Sequence, residues 1–163
     1  TMGTNFYRIP KEDEMNERKD RLLVRIIGLK LDSGLIERGF RYIGDDDDFG
    51  RLSPWEEFVD GTYVHLGKRS SGWKFCWNFH DNKFYANKED LLAFIRSGMV
   101  LDEYGESIDP EEFIEMALNW DGIVFDEAYE KEQSLKSGYL PHGSKYHDKI
   151  IDGLRVSSST DFC

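Results

Sequence analysis

His65, Lys68, Arg69, Ser70, Ser71 and Trp73 crowd into one short stretch, His65-Leu66-Gly67-Lys68-Arg69-Ser70-Ser71-Gly72-Trp73. A glycine-rich turn exposes backbone N–H groups that can hold an oxyanion. Lys68 and Arg69 add positive charge, and Trp73 offers a flat face for a base or a sugar. These residue types in this order describe a nucleotide or phosphate pocket. The plain alternative is a tight hairpin with a basic turn and a core tryptophan. The order is not that of a Walker loop, whose glycine-rich run precedes its Gly-Lys-Ser/Thr. A second turn, Asp102-Glu103-Tyr104-Gly105, carries the complementary acids. If it reaches the hairpin, His65 with Asp102 and Glu103 makes an acid–base set, and Tyr104 stands beside it. The expectation is that Asp102 or Glu103 pairs with Lys68 or Arg69. Ser70 and Ser71 lack the glycine frame of a nucleophile elbow. Cys76 lies between aromatics and reads as a small buried hydrophobe. His142 and His147 share neither a helix face nor a strand face, so no metal and no cofactor are called for.

The elements that must position these residues are legible around them. Thr62 to Phe75 reads as a β-hairpin turning at Arg69-Ser70-Ser71-Gly72, with a second strand over 73–79 and a short third over 83–86. Asn87 then caps a helix, Lys88–Ser97, with Asp90 at the reciprocal acidic position and Gly98 as its stop. Met99-Val100-Leu101 reads as a strand leading into the second turn. Asp109-Pro110-Glu111-Glu112 starts another helix, to Trp120. Upstream, Met2 to Tyr7 suits an edge strand, and Glu12–Leu31 a helix with an apolar stripe. Ser33 to Gly39 reads as a short helix or turn, and Ser53-Pro54-Trp55-Glu56 as a capped helix start. Downstream, Ile123-Val124-Phe125 suits a strand, 127–137 a charged helix, and 149–156 a returning strand. The fold class is α+β: a small antiparallel sheet centred on residues 63–86, helices on one face, and an N-terminal helix. One domain spans 1–163, with an N-terminal helical segment 11–61, a central unit 62–120 and a C-terminal segment 121–163.

The 163 residues carry a net charge of −11, so nucleic acid is not an expected direct partner. No run approaches a membrane span, and no charged-then-apolar signal opens the chain. Thr1 ahead of Met2 reads as a tag remnant. Two cysteines make no disulfide framework, which points to a reducing, cytoplasmic setting. The run Asp45 to Asp48 lacks the alternating acids and closing Glu of a calcium loop and reads as a solvated loop.

Four blocks, in order, carry a resemblance: the opening Met2-Gly3-Thr4-Asn5-Phe6-Tyr7, the His65–Trp73 stretch running on to Phe75, the Asp102–Gly105 turn, and the tail Asp161-Phe162. Together they resemble a family of small bacteriophage and prophage proteins. Many of those relatives carry a Cys-x-x-Cys insert between the first two blocks. Residues 11–62 hold no cysteine here, so no zinc site is carried over. The resemblance implies a phage-type accessory protein of the host cytoplasm that acts by binding. Its target would be a nucleotide-type small ligand or a host protein, as in an inhibitor of a defence system. Independently of the resemblance, the N-terminal helix Glu12–Leu31 either packs on the sheet or serves a homo-oligomer interface. The alternative is a small enzyme hydrolysing a nucleotide or phosphate ester.

Overall fold

The computed structural model describes residues 3–28, 54–138 and 147–157. The Asp45–Asp48 run, the Ser33–Gly39 turn, His142 and the Asp161-Phe162 tail lie outside them. The chain gathers into two compact units, Ile9–Val64 on the one hand and Thr1–Arg8 with His65–Cys163 on the other. No helix among the described residues is long and apolar enough to cross a membrane.

In the first unit, α1 (Glu12–Gly28) opens with Glu12, Asp13 and Glu14 and closes near Arg25, charges that match the helix dipole at both ends. It packs beside α2 (Pro54–Val59). Arg18 Nη1 donates to the Asp60 carbonyl at 2.6 Å, and Arg25 pairs with Glu57.

The second unit is α+β, as expected. Its sheet has seven strands: β1 (Thr4–Pro10), β2 (Val64–Arg69), β3 (Cys76–Trp77), β4 (Gly98–Asp102), β5 (Ser107–Ile108), β6 (Lys149–Ile151) and β7 (Leu154–Val156). The order across the sheet is β5-β4-β1-β2-β3-β7-β6. Three pairs are antiparallel, β2 with β3, β4 with β5 and β6 with β7, while β3 with β7 is parallel. β1 therefore lies inside the sheet rather than at its edge. Its alternation explains this: Phe6 and Arg8 are buried and Asn5 and Tyr7 are half-buried, so neither face of the strand is given over to solvent.

The two capped helices stand where local chemistry puts them. Asn87 Oδ1 accepts the Asp90 N–H at 2.8 Å at the start of α3 (Lys88–Arg96). Asp109 accepts from the N–H groups of Glu111 and Glu112 at the start of α4 (Pro110–Asn119). Ser97 caps α3 at its C-terminus, so Gly98 belongs to β4 rather than to a helix stop. Asp126 caps α5 (Glu127–Ser137). Leu91 and Ile95 of α3 and Phe113, Ile114 and Ala117 of α4 bury against Phe6, Leu66, Phe75, Trp77 and Val100. The rings interlock: Phe6 and Phe113 centroids are 5.1 Å apart, edge to face, and Trp77 stacks on Phe113 at 5.8 Å.

Four local expectations change, the first being that Ile123-Val124-Phe125 forms no strand and only Ile123 makes an isolated bridge. The strand after the turn begins at Cys76, not Trp73, because residues 73–75 bond elsewhere. Lys74 N–H donates to the Ile123 carbonyl, Phe75 N–H to the Trp120 carbonyl, and Trp73 bridges Ile123 in parallel. Residues 83–86 form no strand. A turn at His80–Asn82 with positive φ throughout diverts the chain, and Tyr85 is buried with its hydroxyl on the Asn78 carbonyl at 2.5 Å. Residues 149–156 form a hairpin rather than one strand, turning at Asp152-Gly153 with φ of 49° and 81°. An Asp-Gly pair suits such a two-residue turn.

Candidate functional site

The acidic turn and the basic turn flank the start of β1. Gly3 lies so close to the Arg69–Ser70 backbone that a Cβ there would stand 2.0 Å from the Arg69 carbonyl oxygen. Two residues on, Asn5 reaches Glu103: its N–H donates to Oε1 at 3.4 Å and its side-chain amide to Oε2 at 3.5 Å. Both turns thus meet the same end of β1, with that strand between them.

The expected charge pair does not form. Among the described residues no ion pair joins Asp102 or Glu103 to Lys68 or Arg69. Asp102 is used within its own turn, where Oδ1 accepts the N–H groups of Tyr104 and Glu106, both at 2.9 Å. Arg69 spreads over two rings, 5.5 Å from the Phe6 centroid and 5.0 Å from that of Trp120. The Ser70 carbonyl accepts from Trp120 Nε1 at 3.1 Å and from the Trp73 N–H at 3.2 Å. Trp73 is half-buried beside Tyr129, with the Arg155 guanidinium 4.9 Å from its ring. Ser71 and Tyr104 are exposed, and Lys68 is intermediate.

His65 is the centre of a closed polar network. Its Nε2 lies 2.8 Å from Asn5 Oδ1 and its Nδ1 lies 3.1 Å from Asn78 Nδ2. An amide nitrogen can only donate, so Nδ1 accepts and Nε2 carries the proton. The ring is neutral. Burial, with the neighbouring His80 and Lys68 charges adding to it, pushes its pKa down to about 4. His80 Nε2 in turn donates to the His65 carbonyl at 2.7 Å, and the His80 N–H to Asn78 Oδ1 at 3.0 Å. Glu103, Asn5, His65 and Asn78 therefore form one chain across the end of the sheet.

His65 and Glu103 are brought together, but only through Asn5. Lys68 contributes charge to the His65 environment, and Arg69, Ser70 and Trp73 act as packing. The residues that sequence reasoning missed are Asn5, Asn78 and His80. Asn5 sits in the opening sequence block with no role assigned to it there, no motif marks Asn78 or His80, and only the folded sheet brings the three to His65. His147 Nε2 lies 2.6 Å from Glu130 Oε2. Among the described residues no cluster of His, Cys, Asp and Glu is built to hold a metal ion.

No protein-family model matches the chain, and no curated protein or solved structure matches it.

Proposed function

We propose that the protein acts by binding rather than by turnover. In this reading it is an accessory protein of the bacteriophage and prophage kind, working in the host cytoplasm. It sequesters a nucleotide-type signal or a host protein and so blunts a defence system. The binding half of this reading rests on His65. A general base needs a lone pair aimed at its substrate and a pKa near the working pH. The Nδ1 lone pair of His65 is occupied by Asn78, and its pKa is held near 4. Asp102 and Glu103, the acids expected to serve with it, are engaged by backbone N–H groups and by Asn5. The phage and anti-defence half rests on the ordered sequence blocks that carry the resemblance.

Incubation with a panel of nucleotides, read by mass, tests the first half. Every member is expected back unchanged, and turnover of any of them favours the alternative, a small hydrolase of a nucleotide or phosphate ester. The cargo is read in two ways. A small molecule released when protein from the host is denatured supports the signal. A host protein captured at low salt and lost at high salt supports an acidic surface docking on a basic partner.

A further inference from the structure

The network around His65 has a second side. Beyond Asn78 and His80, the chain opens into a cleft of about 430 Å³ lined by His80, Asn82, Lys83, Lys149 and Ser157, with Ile151 as its half-buried apolar side, while Phe79 and Val156 at its rim are buried in the core. That volume is within the ordinary size range of small-ligand pockets, and the cleft wall is more polar than apolar. Asp81 also lines it, so two lysines face one aspartate. The chain as a whole has 32 acidic and 21 basic residues, and the charge balance in the cleft is therefore inverted. The wall is also preformed. His80, Asp81 and Asn82 hold φ values of 49°, 52° and 64°, a run that L-residues rarely adopt. The run is pinned by His80 on the His65 carbonyl, by His80 N–H on Asn78, and by Asn82 N–H on the Phe79 carbonyl at 2.9 Å. A binding wall that is already ordered loses little freedom when a ligand arrives.

We propose that this cleft binds a phosphate-bearing small molecule of mononucleotide size, with Lys83 and Lys149 meeting the phosphate and the polar lining of His80, Asn82 and Ser157 hydrogen-bonding the remainder. This rests on the reading of the chain as a binding protein, and it moves the site from the Gly67–Trp73 turn to the other side of His80.

Calorimetric titration of the full chain with AMP, and separately with inorganic phosphate, tests it. Lys83→Glu and Lys149→Glu both lie at exposed positions, and circular dichroism checks their folding. Lys136→Glu, on the exposed face of α5, controls for net charge. The expected result is saturable AMP binding that weakens with salt, falls by about tenfold or more in each cleft variant, and is unchanged in Lys136→Glu. Phosphate alone is expected to bind at least about tenfold more weakly than AMP. Absence of AMP binding, or binding that survives both cleft reversals, overturns the cleft. Equal affinity for phosphate and AMP overturns the mononucleotide size. Conversion of AMP during the titration overturns the binding reading instead and leaves the cleft standing, so the two failures are distinguishable.

Discussion

The Arg8 guanidinium stacks 4.2 Å from the centroid of the Phe94 ring and donates from Nε to the Phe94 carbonyl at 3.1 Å. Its Nη2 also reaches Ser97 Oγ at 3.0 Å. A strand residue thereby closes the C-terminal end of α3, where carbonyls lack partners and the helix dipole is negative. Arg8 is only 2% exposed, the one charged side chain among the buried described residues.

Replacing Arg8 should therefore be costly. Arg8→Ala is expected to lower stability by about 2–4 kcal/mol, through lost charge-assisted bonds and lost packing. Arg8→Lys should recover only part of it, because an ammonium offers neither the flat stacking surface nor the fork. Urea midpoints of the three proteins check this, and an Arg8→Ala midpoint equal to wild type contradicts it.

Trp77, 1% exposed and packed on Phe75 and Phe113, anchors the aromatic core. Trp77→Ala is expected to cost ~3–5 kcal/mol. Opposite it, Gly67→Ala should be costly for the reverse reason. A Cβ there would stand 2.4 Å from the Cys76 carbonyl oxygen and 2.6 Å from the Phe75 ring, an overpacking of about 1–3 kcal/mol. Denaturation curves measure both.

Stability should fall on mild acidification. His65 titrates at about 4 when folded and near its ordinary 6.5 when unfolded. Above pH 6.5 the ring is neutral in both states and costs nothing. Below it the unfolded chain takes up the proton first, so stability drops progressively until the folded ring also protonates near pH 4. With allowance for solvent screening of a partly exposed ring, the loss is of order 1–2 kcal/mol. Unfolding midpoints at pH 7.5, 6, 5 and 4.5 check the direction. His65→Gln should flatten that window, and an unchanged slope contradicts the assignment.

Lys68 tests whether the basic turn is structural. Lys68→Ala is expected to change stability by no more than ~0.5 kcal/mol, as ordinary surface changes do. It should also let the His65 pKa rise, because the Lys68 charge helps hold it down. Imidazole resonances followed by NMR across pH 3–7 report that shift, and a loss of several kcal/mol would make Lys68 a structural residue.

The caps were legible without a structure. Asn87 bonds to the N–H of Asp90, and Asp109 to those of Glu111 and Glu112. Each bond spans at most three residues, so side-chain type and spacing decide it locally. The apolar faces of α3 and α4 and the α+β class followed from the same short-range periodicity. What only the tertiary structure decided spans the chain. Asn5 meets His65 across 60 residues and Glu103 across 98, and Arg8 meets Phe94 across 86. Those meetings go with β1 inside the sheet, set the Nε2 side of His65 against Asn5, and leave the expected charge pair unformed. The cleft at His80–Asn82 needed the same assembly, because its far wall comes from β6 and β7, and no local pattern records which strands a twisted sheet will lay side by side.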